Sequence, residues 1–475
     1  MSLYAVSAAA ALVALLSIAL SPKVDAAAAF YKGHAPDGRA PGVWTLALSQ
    51  VTTWIFARSI MNAAILGFFY GIAGALAYAA YYLSFLTGAW IIDSLRFRHG
   101  YTSVQACLHA RFGPAGTWCY NFVVGLRLLS EVFANLLVIG LIFGADGSIA
   151  YLAAIVLVGA VTAGYSMLGG MHASIRTDVM QMWLFLAVLA ALLASVLATG
   201  TVDLPKLVAS SPDPVSPGWV LAAVALLQIW SYPMHDPVMM DRGFVADRQT
   251  TRGSFYHAAW ISFFCILAFG LVGVWAGLAK QPGEQIIPAL QRLLGVWPVV
   301  LFNIALVVSC MSTLDSTFAS AAKLAAVDMR IGDGSVRNGR IAMAFFLAGG
   351  LVMVLIGSKD LYAAVAISGT ASMYLAPVVI VSLWLGRDDV PVWSYLVSFV
   401  AAIAASVLYF YYDDPARAKL LGPLFGYEHK YTKLLILCAG VFATGLAAFA
   451  LGIAAGPRRS RRQDGSPHAA SPSGS

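Results

Sequence analysis

Apolar residues fall in long runs along almost the whole chain, with polar positions gathered in short gaps between them. A helix needs about 20 such residues to cross the hydrocarbon of a bilayer. By that criterion about thirteen segments stand out, near residues 3–21, 46–70, 73–93, 116–144, 149–168, 177–200, 217–240, 255–279, 296–326, 339–357, 360–386, 391–411 and 431–456. No gap is long enough for a soluble domain. Only helices and closed barrels satisfy their backbone in lipid, so the pattern predicts an all-α polytopic membrane protein of about 13 transmembrane helices. One segment breaks its own pattern. Within 296–326, Ser309, Ser312, Thr313 and Ser316 follow an i, i+3, i+4, i+7 spacing, which stacks four hydroxyls on one helix face. Hydrocarbon offers those oxygens no partner. A neighbouring helix would, and so would a hard cation such as sodium.

Composition agrees with the pattern. Of 475 residues, 60% are hydrophobic and 11% charged, against about 25% charged in soluble domains. The gaps carry the orientation signal. Lys23, Lys32 and Arg39 follow the first segment, Arg96, Arg98 and Arg111 the third, Arg176 the fifth, Arg242, Arg248 and Arg252 the seventh, and Arg330, Arg337 and Arg340 the ninth. Arg458, Arg459, Arg461 and Arg462 follow the last segment, whereas Asp146, Asp203, Asp213, Asp360, Asp413 and Asp414 lie in the opposite gaps. The positive-inside rule then puts the N-terminus outside and the C-terminus in the cytoplasm of a cell whose inner (plasma) membrane holds the chain. The net charge of +7 follows from this bias and from contact with anionic lipid; no nucleic-acid partner is needed to explain it. The first segment resembles a signal peptide ahead of VDAAAAF, but it lacks a charged leader and meets Lys23 at its end, which favours a retained helix. The five cysteines are scattered, without metal-ligand spacing, and read as small packing residues. The segment from 457 to 475 is rich in Ser, Gly, Pro and Arg and reads as a disordered basic tail. No phosphate-binding loop, nucleophile elbow or His-rich metal motif argues for an enzyme.

Four motifs, in order, carry a family resemblance: GGMHASIRTDVMQ (Gly169 to Gln181), YPMHDPVMMDRGFVAD (Tyr232 to Asp247), CMSTLDS (Cys310 to Ser316) and SGTASMYLAPVVI (Ser368 to Ile380). From about Tyr31 to Gly386 the chain resembles the sodium:solute symporter family, most closely its proline-permease branch. That resemblance implies a 5+5 inverted-repeat core whose two opening helices are broken near the midplane, where such transporters bind their solute. The implied organisation is an extra N-terminal helix (1–22), a ten-helix core (23–386, with repeats at 46–200 and 217–386), two C-terminal helices (387–456) and the tail. In 217–240, Pro233 and Pro237 flank Met234, His235 and Asp236 and make a continuous helix unfavourable. In 46–70 the SQVTTWIFARS stretch holds neither Gly nor Pro, so the first break is implied by the family alone.

The resemblance also implies a sodium site built from the carbonyls of Thr52, Ile55 and Ser309 with the hydroxyls of Ser312 and Thr313. Hard cations take several such oxygens, and an unwound helix exposes them; helix packing is the alternative use of the same hydroxyls. Where the proline-permease branch has an Asp beside this site, the chain has Trp54. Asp178 and Asp315 are candidates for a second ion or proton path, Asp178 alternatively pairing with Arg176 or a neighbouring loop and Asp315 being a structural carboxylate. For the solute the expectation falls on Arg58, Asn62, Gln228, His235 and Asp236. Arg58 has no acidic partner in its own helix and could grip a carboxylate in a bidentate fork or pair with Asp236 or Glu131. Asp236 could instead cap the helix break. Arg127, Glu131 and Asn135 form an i, i+4, i+8 stripe in which Arg127 and Glu131 can neutralise each other. The expected activity is sodium-coupled import of a small organic solute, an amino acid or organic carboxylate, by alternating access in the lipid bilayer, with Na+ (or H+) as partner ion. A proton-coupled transporter, a membrane sensor module of the same fold and an ion channel are the alternatives.

Overall fold

The computed structural model describes residues 2–35, 38–356, 361–413 and 429–455, and among these every regular element is helical. Among the described residues nine helices are long and apolar enough to cross a membrane, ten if the bent pair Ala366–Ser372 and Leu375–Trp384 counts as one span. About thirteen were expected; two expected pairs merge across a turn at glycine, and at 217–240 the helix Pro217–Gln228 is too short to be counted. Helix α7 (Ile149–Leu197) has 49 residues and would be about 74 Å long at 1.5 Å per residue, more than twice the ~30 Å of hydrocarbon. It turns at Gly170, whose φ of +55° is left-handed, a conformation open to Gly without steric cost. A side chain there would also run into the Phe30 carbonyl. Helix α4 (Ala57–Ala80) turns likewise at Gly71, φ +62°. The new helix beyond it is capped from outside: Ser210 Oγ accepts from Ile72 N at 2.8 Å and Ser211 Oγ from Ala73 N at 3.2 Å. Asp360, Asp414 and the basic tail lie outside the described residues.

The helices form two packed groups. In one, α3 (Val43–Trp54), α4 and α5 (Ser84–Ile92) lie against α9 (Pro217–Gln228) and α12 (Arg248–Leu278). Its tightest seam is lined by glycine: Gly67 meets Gly270, and Gly273 and Gly277 rest on the backbone of Ala64 and Phe68, the small-residue packing that lets membrane helices approach closely. In the other group α6 (Val104–Phe143), α7, α14 (Val296–Lys323) and α15 (Val336–Ile356) pack together, with the hydroxyl stripe of α14 turned inward; Ser312, Thr313 and Ser316 are fully buried. The bent α16 (Leu361–Ser372) and α17 (Leu375–Pro377), then α18 (Val392–Asp413) and α19 (Lys430–Ala455), follow.

Both expected breaks are present. Helix α3 stops at Trp54, Ile55 and Phe56 leave helical geometry (φ −81°, ψ 82° and φ −67°, ψ 151°), and α4 begins at Ala57. Helix α9 stops at Gln228, and the chain passes through α10 (Tyr232–His235) to α11 (Pro237–Gly243). The gaps after the odd-numbered segments meet at one end of the bundle. Val24 N donates to Leu168 O at 2.8 Å, Arg340 to Met167 O at 2.8 Å, Arg96 to Gly243 O at 2.8 Å, and Arg248 pairs with Asp93 at 2.7 Å. Helix α2 (Ala27–Lys32) packs on α7 at this end.

Candidate functional site

Two buried polar clusters sit between the helix groups, and the first break joins them. The upper cluster is a charge quartet. Glu131 on α6 accepts from Arg58 and forms an ion pair with Arg127. Arg127 Nη2 also donates to Asp236 Oδ2 at 2.9 Å, and Trp54 Nε1 donates to the same oxygen at 2.9 Å. The other oxygen, Asp236 Oδ1, accepts from Met239 N at 3.0 Å and so caps α11, as the capping alternative foresaw. All four charged side chains are buried. Arg58 and Arg127 both lie over the Phe56 ring, at 4.8 and 5.5 Å. The face of α6 carrying Arg127, Glu131 and Asn135 therefore meets both broken helices.

Beside the quartet lies a small cavity of ≈ 20 Å³ lined by Trp54, Phe56, Arg58, Ser59, Tyr78, Tyr81, Tyr82 and Tyr232, room for little more than one water. Trp54 packs edge-on against Tyr82, Phe85 and Tyr232. Of the residues expected to hold a solute, only Arg58 lines this cavity. Gln228 sits one bond behind it, accepting from Tyr81 Oη at 2.9 Å. His235 Nε2 pairs with Ser368 Oγ at 3.1 Å, while its Nδ1 has no partner among the described residues. Asn62 is buried, and its Nδ2 likewise has no partner among the described residues.

At the first break the residues of the expected ion site lie close together. Ser309 Oγ donates to Ile55 O, and Thr313 Oγ1 donates to Ser309 O at 2.9 Å. Thr52 stands in the last turn of α3, its Oγ1 buried and without a partner. Ser312 leads downward, donating to Asp178 Oδ1 at 2.8 Å. There the lower cluster begins. Arg242 Nη2 pairs with Asp178 Oδ2 at 2.9 Å and donates to Ser316 Oγ at 2.7 Å, while its Nε donates to Ser49 Oγ at 2.8 Å. Asp315 accepts from Thr177 Oγ1 at 2.9 Å, Ser174 Oγ at 3.0 Å and Tyr165 Oη at 3.2 Å.

Two sequence readings are corrected here. Arg242 was placed with the basic residues of a connecting gap, yet it is 0% exposed. The available signal was its position within two turns of Pro237 on α11, too close to the break to leave the membrane. Asp178 therefore pairs with Arg242 instead of Arg176. Asn135, given no site role by its sequence, holds the start of α4: its Oδ1 accepts from Ala57 N at 3.1 Å.

Two broken helices meet at buried charges between the two helix groups. Residues 36–208 match the family model described as the sodium:solute symporter family. Among solved structures it is similar to a substrate-bound, outward-open Na+-coupled sialic acid symporter, with 15% identity, 95% of this chain and 98% of that one covered, and a TM-score of 0.69. It is also similar to a nucleobase-cation-symport-1 family transporter closed around bromovinylhydantoin (16% identity, 91% and 97% covered, TM-score 0.58) and to MhsT in complex with L-phenylalanine (14%, 86% and 98%, TM-score 0.55). At these identities the likeness is one of fold. No curated protein matches the sequence. Family and neighbours are transporters, and they support sodium-coupled symport by a multi-pass membrane protein.

Proposed function

We propose that this protein imports a small organic solute bearing a carboxylate, driven by sodium that binds where α14 meets the first helix break. The observation that carries the reading is the meeting of Ser309 with Ile55 at a point where α3 has ended and α4 has not begun. The ligands would be the carbonyls of Thr52, Ile55 and Ser309 and the hydroxyls of Ser312 and Thr313. Ser312 donates its proton to Asp178 and Thr313 to the Ser309 carbonyl, which leaves lone pairs on both hydroxyl oxygens for a cation. Neutral ligands hold the ion weakly enough for it to leave inward.

Charge arithmetic supports the solute class. Arg58 and Arg127 (+2) balance Glu131 and Asp236 (−2), so the quartet sums to zero. A carboxylate arriving with one sodium keeps that sum. Arg58 lines the cavity, and its Nε and Nη1 have no partner among the described residues, which suits a carboxylate. An amino acid or another small organic acid meets the requirement. In the lower cluster Arg242 (+1) faces Asp178 and Asp315 (−2), one negative charge in excess. That excess favours a second cation there, sodium or a proton, and keeps proton coupling as the second reading. With the N-terminus outside, each cation entering contributes about 2.3 kcal/mol per 100 mV, and rocking of the repeats 46–200 and 217–386 about the breaks would alternate access.

The test is uptake of labelled amino acids and organic acids into liposomes holding the purified protein. An inward sodium gradient should stimulate saturable uptake, and Ser312→Ala with Thr313→Ala should raise the half-saturating sodium concentration by about tenfold or more. Uptake that ignores sodium and follows a proton gradient selects the second reading. Sodium dependence untouched in the double variant removes the proposed ligands.

A further inference from the structure

The first break poses a physical problem that its sequence does not solve. Residues 49–59 contain no Pro or Gly, and β-branched and aromatic residues such as Thr52, Thr53, Trp54 and Ile55 are tolerated in helices. A continuous helix from Val43 onward would return Ala57 N to Thr53 O and close the break. What competes with it comes from other helices. Phe56, at the N-cap of α4, supplies no side-chain cap. Ala57 N is instead satisfied by Asn135 Oδ1 at 3.1 Å. The amide that makes this contact is fixed in turn: Asn135 Nδ2 donates to Glu131 O at 2.9 Å, and Cys310 Sγ on the hydroxyl-bearing helix lies 3.7 Å from Asn135 O. Asn135 is fully buried, so no water can stand in for it.

We infer that Asn135 is a positioning residue for sodium. By holding Ala57 N away from the carbonyl of Thr53, it keeps the main chain uncoiled at Ile55 and Phe56 and the Ile55 carbonyl facing α14. It touches neither ion nor solute. Because α6 belongs to one helix group and α4 to the other, the same contact ties ion binding to the relative position of the two groups. This rests on the reading that sodium binds at the first break.

The experiment compares Asn135→Leu, which keeps the volume and removes the acceptor, with Asn135→Asp, which keeps an oxygen for Ala57 N. Sodium is titrated at saturating solute, and solute at saturating sodium, in liposomes. Asn135→Leu should raise the half-saturating sodium concentration by about tenfold, the scale of losing an outer partner of an ion ligand, while the solute KM at saturating sodium moves by less than about threefold. Asn135→Asp should stay within about threefold of wild type for sodium. Hydrogen exchange at residues 55–60 should speed up in the Leu variant and not in the Asp variant. If Asn135→Leu does not fold, Asn135→Ser withdraws the oxygen with less bulk and carries the same expectation. Equal sodium dependence in wild type and the Leu or Ser variant overturns the inference, as does a loss shared equally by Asn135→Asp. Wild-type uptake indifferent to sodium overturns instead the reading on which it rests.

Discussion

The two broken helices reach similar shapes by opposite means. The second break is held by its own residues: Pro233 and Pro237 remove backbone donors, and Asp236 between them caps α11 through Met239 N. The first has no such residue. It is held by Asn135 on α6 at Ala57 N, by Tyr82 Oη on Trp54 O at 3.0 Å, and by Ser309 Oγ on Ile55 O. A break encoded locally persists whatever its neighbours do. One encoded by neighbours can open or wind as they move, which suits the helix proposed to share its carbonyls with an ion. The comparison places rigidity at the second break and responsiveness at the first.

Asp236 is where the largest effect is expected, because it serves the second break twice. It caps α11 and it balances Arg127. Asp236→Ala removes both functions and leaves two guanidiniums on Glu131, a buried uncompensated charge worth about 3–5 kcal/mol of stability. Thermal melting in detergent should show that loss, together with loss of uptake. Asp236→Asn keeps an oxygen for Met239 N and should cost less stability while uptake still falls. A melting curve for Asp236→Ala within about 1 kcal/mol of wild type would show that the prolines hold the second break unaided.

Tyr82→Phe probes the first break more gently. It withdraws one hydrogen bond from the Trp54 carbonyl and leaves the ring against Trp54. A stability loss of about 1 kcal/mol is expected, with the sodium half-saturation rising by a factor of about five at most, since tenfold in an equilibrium constant takes about 1.4 kcal/mol. The direction matters more than the size. A change in solute KM with sodium affinity unmoved would make Tyr82 a wall of the cavity and nothing more.

How far the sequence could be read follows the same division. Long apolar runs and the two prolines act within a few residues of themselves, so the helices and the second break were legible. The i, i+4 spacing of Arg127 and Glu131 was legible too, and the structure adds that Glu131 is shared with Arg58 and that Arg127 reaches Asp236. Contacts between distant segments leave no local mark. Asn135 lies 78 residues along the chain from its partner Ala57. Arg242 looked like its neighbours Arg248 and Arg252, which do lie at the bundle end, because a positive-inside count weighs charges without seeing which ones a buried carboxylate such as Asp178 draws inward. The hydroxyl stripe was visible as a stripe, but not its division of labour, with Ser309 serving the break and Ser312 and Ser316 the Asp178 and Arg242 cluster.

Pro237→Ala should have the smallest effect, and for that reason it bears hardest on the comparison. Pro237 is the first residue of α11, a position where the missing N–H has no helical partner to lose. Alanine there restores a donor that nothing requires and loosens the unfolded chain, a cost of about 0.4–1 kcal/mol. With Asp236 still at φ −97° and ψ 102° and still bonded to Met239 N, the break should persist. Uptake rates and the sodium half-saturation should then match wild type while the melting temperature drops slightly. A large fall in uptake would mean that the new N–H lets α10 and α11 wind into one helix, and that the second break depends on the absent donor more than on the Asp236 cap. The contrast would then lie between a break made by removing a hydrogen bond and one made by diverting it.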